Sequence, residues 1–72
     1  MNNKMVVRYS KEFVTGNLKG IWVDVVLPVV NLESANSHIN WAHSHKDKPC
    51  GDLFGSGTFL VHMARIDYIE AK

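Results

Sequence analysis

The sequence predicts an α+β fold: a single small ββαβ domain over residues 1–72, with a three-stranded antiparallel/mixed sheet of spatial order 2-1-3 and one helix on one face. Three observations lead there. Residues 21–30 alternate, and Ile21, Val23, Val25, Leu27 and Val29 form an unbroken apolar row, which a strand turns toward a core. Asn31-Leu32-Glu33 then opens a run with helical spacing, in which Leu32, Ala35, Ile39 and Ala42 share one stripe. Two further strand-like runs, residues 4–14 and 58–69, flank this pair.

In residues 4–14, Met5, Val7, Tyr9 and Phe13 fall on one side, with Arg8, Ser10 and Glu12 on the other. Residues 15–20 form a hairpin turn, because Gly16 and Gly20 supply the positive φ that such turns need. Residues 21–27 are the second strand. Pro28 has no N–H for a ladder, so this strand belongs at a sheet edge and the first strand at the centre. Asn31 suits an N-cap and Glu33 the positive end of a helix over residues 32–45. A right-handed crossover through that helix lays the last strand parallel to the second and antiparallel to the first. Residues 46–57 carry Pro49, Gly51, Gly55 and Gly57 and are expected to be irregular, with Leu53 and Phe54 tucked beneath as an apolar plug. In residues 58–69, Phe59, Val61 and Met63 are out of phase with Ala64, Ile66 and Tyr68. A bulge near residues 62–65 accounts for the shift.

At this length a core supplies roughly 3–5 kcal/mol, and small domains add disulfides, a metal or self-association. Cys50 is the single cysteine, so an internal disulfide is excluded. A lone thiol and no export-type segment lead to the expectation of a cytoplasmic protein. The longest apolar run, residues 25–30, is far below the ~20 residues of a membrane helix. Eight basic and seven acidic residues give a net charge of +1, with signs interspersed. Nucleic-acid binders concentrate positive charge on one face, so this balance disfavours that class.

His38, His43, His45 and Cys50 are zinc-type ligands, but on a helix His38 and His45 lie roughly 10 Å apart and His43 points away from both. No metal or cofactor is therefore expected. Cys50 would need an adjacent base to act as a nucleophile, and nothing in the spacing requires one. The glycines of residues 51–57 precede a strand, whereas phosphate-cradling loops precede a helix. The chain is expected not to be an enzyme.

Trp41 lies about 140° around the helix from the centre of the Leu32–Ala42 stripe, with His38 and His45 beside it. Tryptophan offers large area with a polar N–H, so these three residues are the predicted partner-binding site. The rival is that residues 46–57 fold over Trp41 through Leu53 and Phe54. One helix covers one face of the sheet. The other face carries Trp22, Val26 and Arg8, which form a predicted second interface, most simply with a second copy of the chain. The leading expectation is thus a non-enzymatic protein-binding module that forms a homodimer. A small nucleic-acid-binding protein using Arg8, Lys11 and Trp22 on the sheet is the alternative. A metal-stabilised or cysteine-dependent protein is third.

The segment Tyr9-Ser10-Lys11-Glu12-Phe13-Val14-Thr15-Gly16-Asn17-Leu18-Lys19-Gly20 resembles the first hairpin of small proteins of phages and mobile elements. That resemblance covers residues 9–20 only and transfers no functional residue. It implies a stand-alone inhibitor or adaptor acting on a host or defence complex, in the manner of anti-CRISPR proteins.

Overall fold

The computed structural model describes residues 3–70. The order is β1 (Asn3–Phe13), β2 (Trp22–Pro28), α1 (Leu32–Ser44), β3 (Cys50–Gly51) and β4 (Thr58–Glu70). The strands form one sheet of order β2-β1-β4-β3, with every neighbouring pair antiparallel. The α+β class, the central first strand and the edge position of the second agree with the sequence. The sheet has four strands rather than three: within residues 46–57, Cys50 and Gly51 pair with Phe59 and Thr58.

The β1–β2 turn does more than reverse the chain. Val14 N–H donates to the Thr58 carbonyl at 2.9 Å, and the Thr15 and Thr58 hydroxyls lie 2.7 Å apart. This seats the turn on the segment entering β4. Gly16 (φ +84°) and Gly57 (φ +138°) meet there, so closely that a Cβ on Gly57 would collide with the Thr15 carbonyl oxygen. Only glycine fits both the conformation and the space.

The bulge in β4 is present. Arg8 pairs with Arg65 and Ser10 with His62, so β4 carries one more residue than β1 across that interval. Met63 takes φ +57° there. The extra residue returns Ala64 and Ile66 to the face that Phe59 and Val61 occupy, which reconciles the two rows that were out of phase in the sequence.

Asn31 caps α1 by accepting the Ser34 N–H at 2.8 Å. At the other end, Val61 N–H donates to the His45 carbonyl at 3.1 Å and ties the helix to β4. The core lies between α1 and the sheet in two adjoining groups. Val7, Val29 and Ala35 pack with Met5, Ile39 and Ile66; Phe13, Ala42, Phe59 and Val61 pack beside them, and Tyr9 touches both.

Two expectations about this core are corrected. The helix rests on β1 and β4 rather than on β2, so the apolar row of the second strand is poorly covered. Val29 is buried and Val25 and Leu27 are half-buried, but Ile21 and Val23 are exposed. Leu32 is exposed as well, because the helix is rotated to bury Ala35 and Ala42 and turn Trp41 toward the sheet. Among the described residues, no helix is long and apolar enough to cross a membrane.

Candidate functional site

A concavity opens between α1, β1 and the loop that follows β3. Tyr9 from β1 meets Trp41 from α1 edge-to-face, with ring centroids 5.7 Å apart. Phe59 forms the floor, and Lys11 Nζ sits 4.6 Å over its ring centroid. Cys50 borders the same space, a cavity of about 330 Å³. Burial, with the Cys50 thiol nearby, pushes the Tyr9 phenol above its ordinary pKa, so it remains a neutral O–H donor at the cleft.

The rim is the loop of residues 52–57, and Asp52 organises it. Its carboxylate accepts the Phe54 N–H at 3.1 Å, its N–H donates to the Gly57 carbonyl at 2.9 Å, and its carbonyl accepts from Gly55 N–H at 3.1 Å. Lys11 Nζ approaches Asp52 Oδ1 at 3.6 Å. A loop closed this tightly on its own backbone turns its tip outward. Leu53 is 97% exposed and Phe54 90% exposed, so the expected plug beneath the loop is corrected: both side chains project into solvent beside the cleft.

Desolvation alone would raise the Asp52 pKa, but the Phe54 N–H, the Lys11 ammonium and hydrogen bonds from Ser56 outweigh it and hold the carboxyl below its ordinary value. A depressed carboxylate pKa stabilises the fold above the unfolded value of about 3.9, and that contribution is lost as pH falls through the lower folded value. The loop should therefore stay closed above about pH 4 and open progressively as the pH falls through the lower folded value. Amide exchange at Phe54 and Gly57 followed into acid checks this, and Asp52→Asn should remove the transition.

Of the predicted partner-binding residues, Trp41 is half-buried rather than free on the outer helix face, and it packs against the Phe13–Phe59 group. Its position 100° before Ala42 becomes a flank of the buried stripe once the helix is rotated. The 46–57 segment does not fold over it through Leu53 and Phe54; those residues border the same cavity from outside. His45 stacks at an angle on Trp41, with centroids 5.1 Å apart, and its Nδ1 lies 3.1 Å from the Lys48 carbonyl. His38 is half-buried and shares a second, shallower hollow with Tyr9, Leu27 and Trp41. The three residues therefore line one flank of α1.

The opposite sheet face holds Trp22, Val26 and Arg8, though not as an apolar plane. Trp22 stacks on His62 at 4.9 Å, and His62 Nε2 meets Glu12 Oε1 at 2.8 Å. Ser10 Oγ donates to Asp24 Oδ1 at 3.0 Å. Arg8 Nε lies 2.8 Å from Asp67 Oδ2, an ion pair whose N–H is not aimed along that line. These groups cover Val6, which is fully buried between Pro28 and Asp67 on neighbouring strands. Sequence reasoning missed Glu12 and His62 as partners of Trp22. The strand alternation placed Glu12 on this face, but the bulge hid the register of His62.

His38, His43, His45 and Cys50 do not converge: among the described residues, no three of the histidine, cysteine, aspartate and glutamate side chains are grouped to hold a metal ion. The fold and these surfaces define a small α+β domain with an aromatic cleft on its helix side. Comparison with protein-family models, with curated proteins and with solved structures finds no match.

Proposed function

We infer that the protein is a non-enzymatic binding module that receives an apolar side chain of a protein partner in the Tyr9–Trp41 cleft. The observation that carries this reading is the pair Leu53 and Phe54, held almost fully exposed at the rim of that cleft. Two large apolar side chains in water at a loop tip gain nothing for the fold. Beside a half-open aromatic hollow they supply the apolar centre from which an interface is built. His38 and His45 would form the polar rim. The nucleic-acid alternative finds less support, since Arg8 faces Asp67 and Lys11 faces Asp52, and the net charge is +1. An inhibitor or adaptor role on a host complex, and a cytoplasmic setting, accord with a small module of this kind. They rest on the resemblance of residues 9–20 and on the lone cysteine.

The test is the double variant Leu53→Ser with Phe54→Ser, compared with wild type for capture of a partner from extracts of the native host. Both side chains are exposed, so stability should change by no more than about 0.5 kcal/mol. Affinity for the captured partner should fall at least tenfold, as loss of central apolar anchors does. A partner held equally by both proteins would move the interface elsewhere.

A further inference from the structure

Exposed apolar side chains gather on and around one strand: Ile21, Trp22, Val23, Val26 and Val30 are all exposed, and all lie in β2 or at its ends. The phase of this strand is fixed by two hydrogen bonds, Phe13 N–H to the Ile21 carbonyl at 3.0 Å and Val29 N–H to the Met5 carbonyl at 3.1 Å. Odd-numbered residues of β2 thus turn their backbone groups toward β1. The N–H and C=O groups of Trp22, Asp24 and Val26 point to the outer edge. Pro28 belongs to the same outward set, so its missing N–H leaves the ladder to β1 intact.

The other long edge is defended. The outer side of β4 is occupied at its start by β3 and by the His45 carbonyl, then broken by the bulge at Met63. Beyond it come Arg65, Asp67 and Glu70, and bulges and charges are the devices that blunt strand pairing. Along β2 the single charge is Asp24.

We propose that two copies of this chain pair antiparallel through β2, with the two-fold axis at Val25, so that both sheets become one. A two-fold axis normal to the sheet keeps faces matched, so even residues meet even ones. Centred on Asp24, the pairing sets Asp24 against its own copy, and like charges directly opposite are destabilising. Centred on Val26, it sets Asp24 against Pro28 and shortens the ladder. Centred on Val25, it sets Asp24 against Val26 and forms roughly six backbone hydrogen bonds. Val25 then meets Val25 and Val23 meets Leu27 as the close, non-hydrogen-bonded kind of pair, apolar against apolar. A contact of one strand against another lies at the small end of interfaces, below about 1,200 Å², so the dimer dissociates in roughly the micromolar range. This pairing is independent of the Tyr9–Trp41 cleft.

Sedimentation equilibrium of the wild type should show a monomer–dimer equilibrium below roughly 1 mM. Val26→Pro deletes an N–H that β1 does not use and should shift the protein to monomer with its circular dichroism retained. Val26→Lys should tighten the dimer, because the new ammonium meets Asp24 of the other copy; a register centred on Val26 would instead be weakened. Should Val26→Pro fail to fold, cross-linking decides: in a Cys50→Ser background, Val25→Cys should oxidise to a covalent dimer much faster than Val23→Cys. A wild type monomeric throughout, a dimer indifferent to Val26→Pro, or equal cross-linking at both positions would each overturn the proposal. So would β2-edge pairing seen only with an added extended peptide, which would make the edge a site for a foreign strand.

Discussion

Gly57→Ala should remove most of the fold's stability and bring the chain to the margin of unfolding at room temperature. Gly57 sits at φ +138°, a backbone region that costs a residue with a Cβ on the order of 1–3 kcal/mol, and that Cβ would also run into the Thr15 carbonyl. The obstacle is backbone, so no side chain can swing aside. Relief requires the β1–β2 turn to lift from the segment entering β4, which breaks the Val14–Thr58 hydrogen bond and the Thr15–Thr58 contacts. Each such bond contributes about 0.5–1.5 kcal/mol. Strain and lost bonds together reach about 3 kcal/mol or more, against a total of roughly 3–5 kcal/mol for a core of this size. Urea titration followed by circular dichroism measures it. Gly20→Ala is the control, because Gly20 also has a positive φ (+87°) but nothing within reach of its Cβ. It should cost about 1–2 kcal/mol, the strain alone. Equal losses in the two variants would mean that the close approach of turn and loop contributes nothing.

Local patterns carried the parts of the fold that depend on near neighbours. Pro28 placed β2 at an edge, Asn31 placed the helix start, and the broken alternation of residues 58–69 placed a bulge near residues 62–65. What escaped depends on contacts between distant segments. The two-residue β3 exists because Phe59 and Thr58 offer Cys50 and Gly51 a partner, which no periodicity in residues 46–57 announces. The row Ile21 to Val29 asked for a cover that α1, seated on β1 and β4, extends to Val29 but not to Ile21 and Val23. The outward turn of Leu53 and Phe54 follows from hydrogen bonds closed by Asp52, and an apolar pair in a loop carries no sign of its direction. The candidate site suffered the same way. Trp41, His38 and His45 were legible as a group on one helix flank, but the rotation that half-buries Trp41 is set by how the small residues Ala35 and Ala42 let the helix approach the sheet.

That rotation gives Trp41 two duties, and Trp41→Ala should expose both. Full truncation of a buried tryptophan costs about 3–5 kcal/mol, and a half-buried one against Tyr9 and the Phe13–Phe59 group should cost about 2 kcal/mol. In a domain this small the loss lowers the melting temperature by roughly ten degrees or more. An outer-face tryptophan would have cost no more than about 0.5 kcal/mol. If the cleft receives the partner, affinity should also fall by about 2 kcal/mol or more, as for a central aromatic anchor. Trp41→Phe separates the duties: the smaller ring still meets Tyr9 and Ala42 and should recover most of the stability, while it lacks the indole N–H and part of the contact area that a partner would use. Thermal unfolding and partner binding of both variants, measured in one buffer below the melting range, give the answer. Restored stability with binding still weakened places Trp41 in the interface. Binding that recovers fully with stability in Trp41→Phe assigns the ring to packing, and the partner surface then contracts to Leu53 and Phe54 at the rim.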